Sequence, residues 1–133
     1  MSNDFDANVK LLYPVDDGFS FFTVDDVTQG DPFDVIANIE VGADLNAIID
    51  AHEVRVGIVN LTQSRPVGAT QLFSEVLQPR KEPLLRELRI DIPGGWNADA
   101  EVGDVLQAVA SYKVTAGAHT DFSTAQSVTF VVS

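Results

Sequence analysis

An antiparallel β-sandwich of seven to eight strands is the fold class this sequence predicts, and three observations carry it. The first is the alternation of residues 33–45. Phe33, Val35, Ala37, Ile39, Val41, Ala43 and Leu45 fall on one side, and Asp34, Ile36, Asn38, Glu40, Gly42 and Asp44 on the other. A period of two over that length describes a strand with one face in a core and one in water. The second is the return of that alternation at residues 54–58, 88–92 and 106–114. The third is the near absence of helical periodicity, with short polar connections between the strands, which suits antiparallel sheets rather than alternating strands and helices.

Taken in order, Val9, Leu11, Tyr13 and Val15 predict a short first strand, and Pro14 places it at an edge or marks its end. Asp16, Asp17 and Gly18 form a turn, and the aromatic residues 19–24 a second short strand. Asp25, Asp26 and the run from Gln29 to Pro32 lead into the long strand, which the apolar Ile36 on its polar side makes central. From Gly42 onward strand preference is weak, so the chain is expected to leave the sheet there. Residues 46–52 give the one predicted helical turn. Strands follow at 53–61 and 69–77, separated by a turn at 63–68. A charged loop with Pro79 and Pro83 precedes a strand at 84–92, and Pro93, Gly94 and Gly95 break it. A connection and a corner at Val102, Gly103 and Asp104 enter the strand from 105 to 114. A hairpin loop at 116–121 and a last strand at 127–133 complete the chain. One domain spans residues 1–133, with 1–8 as a flexible N-terminal segment.

Composition narrows the function classes. At 133 residues with 45% apolar content, the chain supports one hydrophobic core without staples. With no cysteine, disulfides, thiolate metal sites and cysteine nucleophiles are excluded. No stretch approaches the roughly 20 apolar residues of a membrane helix, and the N-terminus has no signal-peptide pattern. The cytoplasm is therefore the default address, with a virion or extracellular assembly as the alternative. A net charge of −12 argues against nucleic acid and anionic membranes as partners. The charge is uneven: eight aspartates against Lys10 give −7 over residues 1–34, whereas six basic residues against three glutamates give +3 over 55–89. Attraction between these regions, within one molecule or between neighbours, is expected.

Gly30, Asp31, Pro32 and Phe33 entering a long strand, the corner from Val102 to Leu106, and the closing strands from Asp104 to Ser133 carry a resemblance. In this order of strands the chain resembles the immunoglobulin-like sandwiches of bacterial and viral surface and accessory proteins, over about residues 8–133. The cysteine pair of antibody domains is missing, Trp96 lies in a connection, and Tyr112 sits near the end of its strand rather than at a tyrosine corner. The resemblance implies architecture and no activity.

Chemistry-bearing residues are few. His119 lies near Thr120, Asp121 and Ser123, but no strained turn marks a nucleophile, and the residue is expected at a polar hairpin tip. His52, beside Glu53, is expected at the surface. Asp16, Asp17, Asp25, Asp26 and Asp31 fall in connections that could converge on calcium, a cation that wants loop oxygens, although their spacing is not that of an EF-hand. Asn60, Leu61 and Thr62 match a glycosylation acceptor. Trp96 is a candidate anchor for a protein partner or a sugar ring, or a cap on the core, and Phe21 and Phe22 point to both faces of their strand. The expected function is a non-enzymatic structural or protein-interaction module, self-association included, with no cofactor. A carbohydrate- or calcium-binding module is the alternative.

Overall fold

β3 (Phe33–Val41) is the middle strand of a three-stranded sheet, with β1 (Ala7–Asp16) and β6 (Leu84–Ile92) antiparallel on either side. The structure, a computed structural model, describes residues 6–16 and 24–133. Phe33, Val35, Ala37, Ile39 and Val41 are buried in the core, as their alternation demands. The other face of β3 is covered as well: Asp34 and Ile36 are buried there, with Val15 opposite Asp34 in the β1 register. β1 starts at Ala7, inside the segment read from the sequence as a flexible N-terminal piece.

The strand stops at Val41, and the chain turns through one helical turn, α1 (Ala43–Asn46), where Asn46 N–H donates to Gly42 and Ala47 N–H to Ala43. The helical turn expected over 46–52 therefore comes earlier. Leu45 and Ile49 are fully buried, and the Asp50 N–H donates to Thr115, which draws the chain into the next strand by Ala51.

The larger sheet has six strands. β5 (Arg65–Val76), β4 (Ala51–Asn60) and β7 (Val105–Ala116) lie side by side. Beyond β7 come β9 (Phe130–Val132) and then β2 (Asp26–Val27), while β8 (His119–Gln126) also pairs with β7. Every pairing is antiparallel except β2 with β9. The even-numbered residues of β4 and β7 face inward. Val54, Val56 and Ile58, with Leu106, Tyr112 and Val114, meet the inward residues of β3 and β6 in one core. Burying each large apolar side chain there is worth about 1.5–3 kcal/mol. The chain is thus all-β, with nine strands among the described residues where the sequence pattern suggests seven or eight.

Two further expectations change. The hairpin loop at 116–121 shrinks to Gly117 and Ala118, because Ala116 already pairs with His119 and Thr115 with Thr120. The last strand, expected over 127–133, narrows to β9 (Phe130–Val132), and β8 (His119–Gln126) is a strand the sequence reading did not expect; Ser127, accepting the Ala108 N–H on its Oγ, lies between them. In β5, Gln71 lies opposite Val56 and Val67 opposite Ile58, so residues 68–70 bulge against Gly57 alone.

Both flanks where the two sheets meet are tied by polar side chains. On one, the Ala7 N–H of β1 donates to the Asp121 carboxylate of β8 at 3.0 Å. On the other, Arg86 of β6 pairs with Glu75 of β5.

Candidate functional site

The densest polar constellation in the interior begins at His52. Its register on β4 puts it opposite Glu75 and Val114, and its even number turns it inward with Val54 and Val56. At 2% exposure it is buried, which corrects the expectation of a surface histidine. The reason is that both ring nitrogens find partners inside. Nδ1 is 2.7 Å from the Tyr112 hydroxyl and Nε2 is 2.7 Å from Glu75 Oε1. Phe73 and Tyr112 flank the ring edge-on, with centroids at 6.1 and 5.6 Å. Arg86 reaches Glu75 Oε1 from the other sheet.

One protonation pattern satisfies this chain. Desolvation pushes the Glu75 carboxyl up, but the hydrogen bonds from His52 and Arg86 outweigh it and hold the group below its usual range. Glu75 is then an ionised acceptor, so Nε2 carries the proton and donates to it. A neutral ring leaves Nδ1 bare, and the Tyr112 hydroxyl donates to it. Burial lowers the His52 pKa against the opposing pull of Glu75, which keeps the ring neutral. Burial also pushes the Tyr112 phenol well above its usual range. With Tyr112 and the His52 ring enclosed, the arrangement ties β4, β5, β6 and β7 together, while the Glu75 and Arg86 side chains stay partly exposed.

A second polar knot closes the opposite end of the core. Asp104 Oδ2 accepts from Asn60 Nδ2 at 2.9 Å, Gln63 Nε2 at 2.7 Å and the Glu101 N–H at 2.9 Å. These bonds, the backbone one foremost, hold its carboxyl below the usual range. Asp99 extends the knot by accepting from Arg65 and from the Gly68 N–H. Asn60 is fully buried, with its amide donating to Asp104 and to the Asp99 carbonyl, so it is not a surface glycosylation acceptor in this fold.

The aspartates singled out as calcium ligands are not brought together. Asp16 ends β1 opposite Phe33, Asp25 and Asp26 border β9, and Asp31 sits in the turn before β3; all four are exposed. Asp17 lies outside the described residues. Among those residues no group of three or more His, Asp or Glu side chains is placed to hold a metal ion. Asp121 bonds the Ala7 N–H rather than orienting His119, and His119 is exposed at the start of β8.

Trp96 is buried at 3% exposure, so it offers neither an anchor nor a stacking platform. Its Nε1–H donates to the Asp31 carbonyl at 2.9 Å, and its ring meets Phe33 edge-on at 6.1 Å, which caps the core. Phe21 and Phe22 lie outside the described residues.

The features open to a partner lie on the outer face of the larger sheet. Residues of opposite parity to the core point there: Ala51, Glu53 and Arg55 of β4, Lys113 and Ser111 of β7, and Phe122 and Thr124 of β8. A groove of about 370 Å³ is lined by Ala51, His52, Glu53, Ser74, Glu75, Val76, Lys113 and Thr115. Phe122, Leu72 and Val76 are 67%, 55% and 81% exposed on this face. No protein-family model matches the chain, and no curated protein matches its sequence. The sheet face was the part sequence reasoning passed over; its one visible signal was the presence of Leu72 and Phe122 at outward parity.

Proposed function

We propose that this protein is a non-enzymatic immunoglobulin-like sandwich that works by presenting the outer face of its larger sheet to another protein or to a second copy. The strand arrangement supports the immunoglobulin-like part. β1, β3 and β6 form one sheet; β5, β4, β7 and β8 form the other; and a short β2 crosses over to run parallel to β9. The exposed apolar residues Leu72, Val76 and Phe122 on an otherwise strongly acidic chain are the observation that carries the interaction reading. Leu72 and Val76 on β5 and Phe122 on β8 flank a polar middle of Glu53, Arg55, Ser111 and Lys113, so the face offers apolar groups at its two margins.

The charge pattern supports an apolar rather than an ionic contact. Five of the six basic residues of 55–89 are engaged within the molecule: Arg65 with Asp99, Arg86 with Glu75, Arg89 with Asp34, Arg55 with Glu53 and Arg80 with Glu82. Of these pairs, Arg89 with Asp34 joins the acidic and basic regions. The test compares wild type with a Leu72→Asp, Phe122→Asp double variant in sedimentation and in retention of proteins from the native host. Association or a retained partner that the double variant loses supports the reading. A monomer that retains nothing, or retention equal in both forms, contradicts it.

A further inference from the structure

We infer that residues 71–76 of β5 are a strand-addition edge, and that its occupant is the same stretch of a second copy, paired antiparallel about a two-fold axis through Ser74. This rests on the interaction reading above and names its geometry. β5 ends the larger sheet: β4 pairs with it on one side, and no strand pairs with it on the other among the described residues. It is an exposed strand, with Val67 alone buried among its twelve residues.

Natural sheets blunt their edges with charge, proline or bulges. β5 does so only in its first half, where Pro66 and the bulge at 68–70 interrupt the ladder. Its second half carries none of these. Residues 66–74 are uncharged, and the Glu75 side chain is turned inward and held by His52 and Arg86. On a chain of net charge −12 most approaches of a second copy bring like charges together, and this edge is a line of approach without them.

The side chains are self-complementary in one register. Leu72, Ser74 and Val76 share the outer face. With Ser74 on the axis, Leu72 lies directly opposite Val76 of the second copy, and Val76 opposite its Leu72. Cross-strand neighbours of this kind stand about 4.5–5.5 Å apart at Cβ, close enough for each exposed apolar group to cover the other. The contact is isologous and closes as a dimer. The two larger sheets then form one continuous sheet, whose outer face doubles the surface described above.

The chain has no cysteine, so one engineered thiol reports the geometry without interference. Ser74→Cys places two thiols across the axis, with Cα atoms about 4.5–5.5 Å apart, within the span a disulfide accepts. Thr124→Cys, also exposed on the outer face but on β8, is the control. Under mild oxidation at low protein concentration, Ser74→Cys is expected to form covalent dimers about tenfold faster than the control, and adding Val76→Lys is expected to remove that advantage. Val76 is so exposed that the lysine leaves the fold intact, which an unchanged urea midpoint verifies. Equal rates for the two thiols, or wild-type association undiminished in a Leu72→Lys, Val76→Lys variant, overturns the edge pairing. If that happens while the Leu72→Asp, Phe122→Asp comparison still shows a lost partner, the interaction reading stands and this geometry does not.

Discussion

Tyr112→Phe removes a single oxygen from the centre of the fold and tests the hydrogen-bond chain built on His52. The ring stays, so its packing in the core is retained. What changes is that His52 Nδ1, buried and 2.7 Å from the lost hydroxyl, has no donor. A buried acceptor left without a partner costs about 1–3 kcal/mol. In a domain of this size about 3–4 °C of melting temperature accompanies each kcal/mol, so a fall of about 3–10 °C is expected. The acid dependence carries the sharper signature. His52 titrates lower in the folded protein than its ordinary 6.5. Its contribution is complete above that value and is lost as pH falls below it, because the unfolded chain takes up a proton that the folded chain resists. Glu75, also held low, adds a loss of the same sign further into acid. Without the Tyr112 donor the bare Nδ1 is freer to accept a proton, so the variant's stability falls less steeply between about pH 7 and pH 5. Urea denaturation across that range, at constant m-value, measures both effects. A variant within about 0.5 kcal/mol of wild type and with the same acid slope would refute the assignment of donor and acceptor.

Other regions give independent expectations. Above about pH 10 the sign reverses, since the unfolded chain ionises its tyrosine while buried Tyr112 does not; wild type then loses stability with rising pH more steeply than Tyr112→Phe, read by alkaline urea titration. Trp96→Ala should cost about 3–5 kcal/mol, as for other buried aromatic truncations. Because Trp96 is the lone tryptophan, its native emission should also be blue-shifted and inaccessible to iodide. Gly30→Ala should destabilise by about 1–2 kcal/mol from its positive φ of 77°, with added crowding because a Cβ there would run into the Asn97 side chain; thermal melts measure it. Asp104→Asn should lower the urea midpoint more than Asp26→Asn does, and should remove part of the wild type's stability loss in strong acid, since Asp104 stays ionised in the fold below its ordinary pKa.

How much of this was legible in the sequence depends on burial. β4, β6 and β7 each bury one face and leave the other more open, and β3 keeps the same alternation along most of its length although its second face is partly covered, so these strands were readable residue by residue. β8 carries polar side chains on both faces: Asp121 and Ser123 turn toward β1 half-buried, while Thr120 and Thr124 face solvent. Its strand is imposed by β7 and the tight turn at Gly117, and no apolar pattern marks it. His52 was misplaced because residue type outweighed position. Its parity matches Val54, Val56 and Ile58, and that parity, shared by Tyr112 on β7, was the available sign that both point inward. The partners Glu75 and Arg86 lie 23 and 34 positions further along the chain, and only the pairing of β4 with β5 and the meeting of two sheet edges brings them together. The calcium reading assigned polar turns to a common end, and among the described residues Asp16, Asp25, Asp26 and Asp31 form no group placed to hold a metal ion.

Salt tests the central claim most directly, namely that this chain acts through an apolar surface and not through its charges. Sedimentation velocity is followed at fixed high concentration as salt rises from low to physiological and beyond. With most of the basic residues paired at home and −12 left over, screening should weaken the repulsion between copies, so association should strengthen with salt and disappear in the Leu72→Asp, Phe122→Asp variant. Association that weakens with salt, or a monomer at every salt concentration with no partner retained, would contradict the account.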